Sequence, residues 1–188
     1  MTNTIPPQGS TRRQRRQRRI VLAIIVLFVA LIGATMWQRA NPFTIVTQIE
    51  IDAPPDVVWE ALTDFDAYPE WNPALAGMTG ELEVGKNLRF STDASDDALT
   101  FEPVVREVRR GEYLRWEGHL FVPGLFDGEH AFVLDPLPNG GTRLTQSENF
   151  RGITVPFLTG WLEENTRPDS LAMNEALRDR AVSIDPDR

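Results

Sequence analysis

From Ile20 to Trp37 the chain reads IVLAIIVLFVALIGATMW, 18 residues without a charge. A run this long and apolar crosses a membrane or is buried on every side. As a helix it is about 27 Å long, enough to span a thin hydrocarbon core with little tilt. Arg12, Arg13, Arg15, Arg16, Arg18 and Arg19 precede it, only Arg39 comes closely after it, and Trp37 stands where an indole ring suits the interface. The positive-inside rule then keeps the N-terminus cytoplasmic and exports the remainder of the chain. The expected layout is a basic cytoplasmic tail over 1–19, one transmembrane helix over 20–37, and one extracytoplasmic domain over 43–184. The protein is expected in the cell membrane as a single-pass chain. A cleaved signal peptide is the competing reading. Against it, the apolar core is long and Ile32-Gly33-Ala34 is a poor cleavage site. A third reading takes the arginine run as a nucleic-acid or nuclear-targeting patch. Beside an apolar helix, charge anchoring is the simpler account.

Of 188 residues, about 148 remain after the first 40, the usual size of one domain and enough for one core. The charge is sharply divided. Residues 1–40 carry seven arginines and no acid; residues 41–188 hold the other 12 basic residues against all 27 acids, a balance of −15. Nucleic acid is not expected as a partner, since it requires a basic footprint. With no cysteine, disulfides, thiolate nucleophiles and thiolate metal sites are excluded.

Phe43–Ile51 alternates and is rich in Thr, Ile and Val, which predicts a strand. Ala53-Pro54-Pro55-Asp56 breaks it, and Val57, Val58, Ala61 and Leu62 then fall at helical spacing, with Trp59 beside them as core. Asp64–Pro73 is aromatic and proline-punctuated, a second short helix or turn. The period next changes to two. Strands are expected at Thr79–Glu83, Asn87–Thr92, Leu99–Val108, Tyr113–Phe121, Glu129–Leu134 and Thr142–Phe150, separated by glycine-bearing turns. From Pro156 to Val182 the pattern is helical, with Phe157, Leu158, Trp161, Leu162, Leu171, Met173, Ala176 and Leu177 as apolar members and Pro168 as a kink or interruption. Strand, two short helices, six strands and a long C-terminal helix make an α+β architecture: an antiparallel seven-stranded curved sheet with a long helix across it, preceded by the transmembrane helix.

Several segments in this order carry a resemblance: Ala53-Pro54-Pro55-Asp56-Val57-Val58-Trp59, Tyr68-Pro69-Glu70-Trp71-Asn72-Pro73, Leu114-Arg115-Trp116-Glu117-Gly118, Gly124-Leu125-Phe126-Asp127-Gly128-Glu129-His130 and Gly140-Gly141-Thr142-Arg143-Leu144. Met173-Asn174-Glu175-Ala176-Leu177 falls where the last helix of that family runs. Over residues 44–182 the chain resembles the START-like, or SRPBCC, superfamily, most closely bacterial polyketide cyclase/dehydrase-like proteins. The resemblance implies a helix-grip fold with a ligand-holding cavity between sheet and C-terminal helix. It implies no particular reaction, because the fold serves both carriers and enzymes. The membrane segment departs from the soluble majority of that superfamily.

Strand alternation puts His130, Phe132 and Leu134 on one face, and Leu144, Gln146, Glu148 and Phe150 on a face of the next strand. With Asn139 at the hairpin tip, Leu134 faces Leu144, Phe132 faces Gln146 and His130 faces Glu148. A shift of two residues would put His130 opposite Phe150. On an otherwise apolar face, His130 and Glu148 are the candidate catalytic pair, a base oriented by a carboxylate. They are equally a polar anchor for a ligand's hydroxyl or carbonyl, or a satisfied pair with no chemistry. The candidate ligand-binding set is Trp71, Asn72, Trp116, His130, Phe132, Gln146, Glu148 and Phe150. Trp71 and Asn72 lie where this fold has a cavity mouth, though a locked aromatic turn is the competing reading; Trp116 is either core or cavity wall. Phe121, Pro123, Leu125 and Phe126 form an apolar loop, either a lid or a membrane contact. His119 points to the opposite sheet face from His130, so the two cannot share a metal. The carboxylates of Asp93–Asp97 lack calcium-loop spacing. No metal and no cofactor is expected, and no phosphate loop, GxSxG elbow or HExxH is present.

Three functions are consistent with these features, in order of preference. The first is a membrane-anchored carrier of a small hydrophobic ligand, lipid or polyketide-like. The second is a cyclase or dehydratase using the His130–Glu148 pair. The third is an envelope interaction protein without ligand. The oligomeric state is not legible.

Overall fold

The computed structural model describes residues 9–91 and 100–185, so Asp93–Asp97 lie outside the described residues. It divides into two units, before and after Ala40. The first holds α1 (Gly9–Ala40), one continuous helix containing the apolar run. It is long and apolar enough to cross a membrane, and none of its spanning window is buried.

The second unit runs in the order β1 (Phe43–Ile51), α2 (Pro55–Thr63), a 3-10 turn (Phe65–Ala67), α3 (Tyr68–Trp71), β2 (Gly77–Gly80), β3 (Leu88–Ser91), β4 (Thr100–Phe101), β5 (Val104–Arg109), β6 (Tyr113–His119), β7 (Asp127–Pro136), β8 (Thr142–Arg151), a 3-10 turn (Val155–Phe157) and α4 (Thr159–Ile184). One antiparallel sheet runs β1-β8-β7-β6-β5, and a smaller one runs β2-β3-β4. This is the expected α+β helix-grip arrangement, with eight strands among the described residues, divided between two sheets, rather than seven in one. The extra strand arises because the predicted Leu99–Val108 strand breaks at Glu102-Pro103. Proline has no N–H for a ladder, so pairing stops there and resumes at Val104.

Other boundaries move for local reasons. The strand predicted at Thr79–Glu83 ends at Gly80, whose φ of +119° turns the chain. The strand predicted to reach Phe121 stops at His119, and Phe121 itself takes a φ of 66°. Pro168 does not interrupt α4, which runs through it unbroken. α2 starts with Pro55 in its first turn and Asp56 beside it, a residue pair suited to a helix N-terminus. It buries Val58, Trp59, Ala61 and Leu62. The Tyr68 hydroxyl donates to the Leu62 carbonyl at 2.7 Å and pins α3 to the end of α2. Burial pushes its pKa far up, so it stays a donor.

α4 buries Leu162, Ser170, Met173, Asn174, Leu177 and Ala181, a stripe at helical spacing. Of the apolar members of the predicted helix, Phe157, Trp161 and Leu171 are exposed. The main core joins Trp59, Tyr68, Leu114, Trp116, Phe132, Leu144, Met173 and Leu177. A second cluster holds Ile45, Phe150, Val155 and Leu162. The other sheet face mixes charged, polar and apolar residues, and there Arg115 and Arg151 both reach Glu129, at 2.9 and 3.8 Å.

Candidate functional site

The strand registers stack two rows of side chains across the sheet. One runs Thr47, Gln146, Phe132, Leu114. The next runs Ile45, Glu148, His130, Trp116. The pairing of His130 with Glu148 and of Phe132 with Gln146 is the one the alternation predicts. α4 supplies polar side chains to these rows. Ser170 Oγ donates to Glu148 Oε1 at 2.8 Å, and Asn174 Nδ2 donates to Thr47 Oγ1 at 2.9 Å.

The bond expected between His130 and Glu148 is not formed. The imidazole stacks on Phe132 with centroids 4.5 Å apart, which carries Nε2 one row along to Gln146 Nε2 at 2.8 Å. Trp116 packs beside both rings, 5.0 Å from His130 and 5.4 Å from Phe132. Glu148 turns to α4 and is engaged by Ser170. What the paired positions lack is a mutual hydrogen bond: each side chain is bonded to a partner elsewhere. Burial lowers the His130 pKa, and the Glu148 charge opposes this only in part. A neutral ring accepts the Gln146 amide proton on Nε2 and carries its own proton on Nδ1.

Burial of this ring makes stability depend on pH. The folded state holds the His130 pKa below its unfolded value of 6.5, so the unfolded chain binds more protons between the two values. Stability is therefore full above about pH 6.5 and falls as the pH drops towards the folded pKa. Denaturation midpoints measured from about pH 7.5 to 5.5 are expected to fall in the wild type, with this component absent from His130→Asn.

Two buried acceptors in the same seam, Gln146 Oε1 and Asn174 Oδ1, have no hydrogen-bond partner. The Gln146 nitrogen reaches only His130 and, at 3.9 Å, Met173 Sδ. Turning the Gln146 amide over exchanges which of its atoms is unpartnered and leaves one either way. Around them stand Trp116, Phe132, Leu144 and Met173, all buried.

The rest of the expected ligand set is divided. Phe150 belongs to the second apolar cluster, with Val155 and Leu162. Asn72 spends its side-chain carbonyl on the backbone of Ala74 and Leu75, at 2.9 and 3.2 Å, as a turn lock. Trp71 packs edge-on against Tyr68 at 5.0 Å. Buried Trp71 Nε1 and Asn72 Nδ2 nevertheless have no partner. Sequence reasoning missed Ser170, Asn174 and Thr47. The available signal was polar residues falling on the same α4 stripe as Met173 and Leu177. It also missed an open groove of about 430 Å³ bordered by Phe65, Pro69, Met78 and Phe90, which none of the expected ligand residues lines. Among the described residues no cluster of metal-ligating side chains occurs.

Residues 42–182 match the family model described as polyketide cyclase / dehydrase and lipid transport. Among solved structures, protein MLL2253 from Mesorhizobium loti is similar at 23% identity and a TM-score of 0.60, covering 76% of this chain and 98% of that one. The Zhui aromatase/cyclase from Streptomyces sp. R1128 is similar at 19% identity and a TM-score of 0.59, over 73% of this chain and 92% of that one. The di-domain aromatase/cyclase StfQ of the steffimycin biosynthetic pathway is similar at 15% identity and a TM-score of 0.64, over 79% of this chain and 54% of that one. At these identities the likeness is one of fold. No curated protein sequence matches the chain.

Proposed function

We propose, from the premise that this chain belongs to the polyketide cyclase/dehydrase and lipid transport family, that it is a membrane-anchored domain binding a small hydrophobic molecule between its sheet and α4. The observation that carries this reading is the pair of unpartnered amide atoms on Gln146 and Asn174 inside an apolar wall. Leaving such groups unpaired costs about 1–3 kcal/mol each. A ligand that satisfies them recovers this, which favours an apolar molecule bearing a hydroxyl. A hydroxyl both donates and accepts, so it suits either amide orientation. Neutral His130 adds a third polar contact on the same wall without introducing a charge. Lipid-like and polyketide-like molecules both have this character.

The anchor in this reading is α1, with the six arginines from Arg12 to Arg19 on the cytoplasmic side and the acidic domain outside. An enzymatic reading is less well supported, because the carboxylate that would orient His130 as a base is engaged by Ser170 instead.

The test is organic extraction and mass spectrometry of the full chain purified from membranes, beside a Gln146→Leu/Asn174→Leu variant. Near-stoichiometric recovery of one hydroxylated apolar molecule from the wild type is expected, with recovery from the variant reduced roughly tenfold or more. Equal recovery from both would remove the seam as the binding site.

A further inference from the structure

Five large apolar side chains of the second unit stand in solvent close together in the fold: Phe121 (78% exposed), Val122 (57%), Ile153 (39%), Phe157 (87%) and Trp161 (60%). They come from two segments joined to each other. Ile153 N–H donates to the Gly124 carbonyl at 3.1 Å, while the Thr154 N–H and hydroxyl donate to the Leu125 carbonyl at 3.2 and 2.7 Å. Neither segment carries a charge, from Leu120 to Phe126 or from Gly152 to Leu162, although residues 41–188 hold 39 charged residues. Phe121 holds a φ of 66°, the only positive φ outside glycine among the described residues. Residues held in that region cluster at functional sites.

The position of these segments identifies what they meet. They extend from the end of the sheet where β6 finishes, β7 begins and β8 finishes, with His119 opposite Asp127 and Asp127 opposite Arg151. Phe43, the first residue of β1, pairs with Phe150 at that same end. Only Asn41 and Pro42 separate Phe43 from Ala40, the last residue of α1. Three Cα–Cα steps reach about 11 Å at most. The opposite end of the sheet is charged: its turns carry Arg109, Arg110, Glu112 and Asp135.

Resting on the reading of α1 as a membrane anchor, we infer that Phe121, Val122, Ile153, Phe157 and Trp161 form a membrane-seating edge that inserts into the lipid interface. Aromatic and aliphatic side chains on segments that carry no charge of their own, flanked by Asp127, Arg151 and Glu163, suit the boundary between headgroups and acyl chains. An uncharged edge also lets a domain of net −15 approach a lipid surface that its remaining faces avoid. Behind the edge lies the apolar cluster of Phe126, Phe150 and Leu158, next along β8 from Glu148. The edge thus sets the apolar end of the fold, and not its charged turns, towards the source of a membrane-dissolved ligand.

The chain has no cysteine, so single labels are unambiguous. Val122→Cys, Phe157→Cys, Asn139→Cys at the far hairpin and Phe28→Cys within α1 would each be labelled with the fluorophore NBD. The full chain would then be reconstituted in phosphatidylcholine vesicles with and without doxyl-labelled lipid. Labels at 122 and 157 are expected to be quenched roughly twofold, as for groups at the headgroup–acyl boundary. The label at 28 is expected to be quenched and that at 139 not. Quenching at 28 with none at 122 and 157 would overturn the seating edge and leave the anchor standing. Blue-shifted but unquenched labels at 122 and 157 would also overturn it, pointing to a protein partner. No quenching at 28 would remove the anchor reading and this inference with it.

Discussion

Phe132→Ala is expected to lower the unfolding free energy by about 3–5 kcal/mol, among the largest costs any single truncation here would carry. Phe132 has no solvent exposure. It sits mid-sheet opposite Gln146 and Leu114, with Trp116 at 5.4 Å and His130 stacked at 4.5 Å. Truncation removes the burial of a phenyl ring and leaves a void that three neighbouring strands are poorly able to collapse into. It also removes the surface that holds the imidazole towards Gln146. Phe132→Leu keeps most of the volume and is expected to cost less than about 1.5 kcal/mol. Denaturant titration of the full chain in detergent, followed by circular dichroism, checks both values.

Gly152→Ala is expected to cost about 2–4 kcal/mol, more than a glycine in an ordinary turn. Gly152 has a φ of +126°, and a Cβ there would lie 2.5 Å from the Leu125 carbonyl oxygen and 2.8 Å from its carbon. Those are backbone atoms, so no side chain can move aside. The substitution forces apart the two segments that carry Phe121 and Phe157, breaking the bonds from Ile153 and Thr154. Gly124→Ala is the comparison. It also has a positive φ, +86°, but nothing within 4 Å of a Cβ, so only the conformational cost of about 1 kcal/mol applies. Thermal unfolding of both variants separates steric clash from backbone preference.

The register of the β7–β8 hairpin was legible because two signals agree, although β7 runs from Asp127 to Pro136 rather than from Glu129 to Leu134. Strict alternation sets the faces, and Asn139-Gly140-Gly141 supplies a tip whose Gly140 takes the positive φ that such a turn requires. Cross-strand neighbours could therefore be read from sequence. The bonding within the site could not, since it depends on what α4 brings. Nothing in the strands alone shows that Ser170 takes Glu148 or that His130 prefers Phe132 and Gln146. The apolar pattern of the C-terminal helix does not by itself tell buried members from exposed ones: Phe157 and Trp161 fit the spacing, and only the packing reveals them as exposed. Pro103 was the readable warning within the overlong strand, a residue that cannot serve in a ladder.

Nitrogen-15 NMR of histidine-labelled full chain in detergent micelles tests the central claim most directly. The chain has two histidines: His130 in the seam, and His119 exposed at the end of β6. The expected result is that stripping bound apolar material shifts the His130 ring resonances, that returning the extract restores them, and that His119 stays still throughout. Resonances of His130 that ignore both removal and return of an extracted apolar molecule would contradict ligand binding between the sheet and α4.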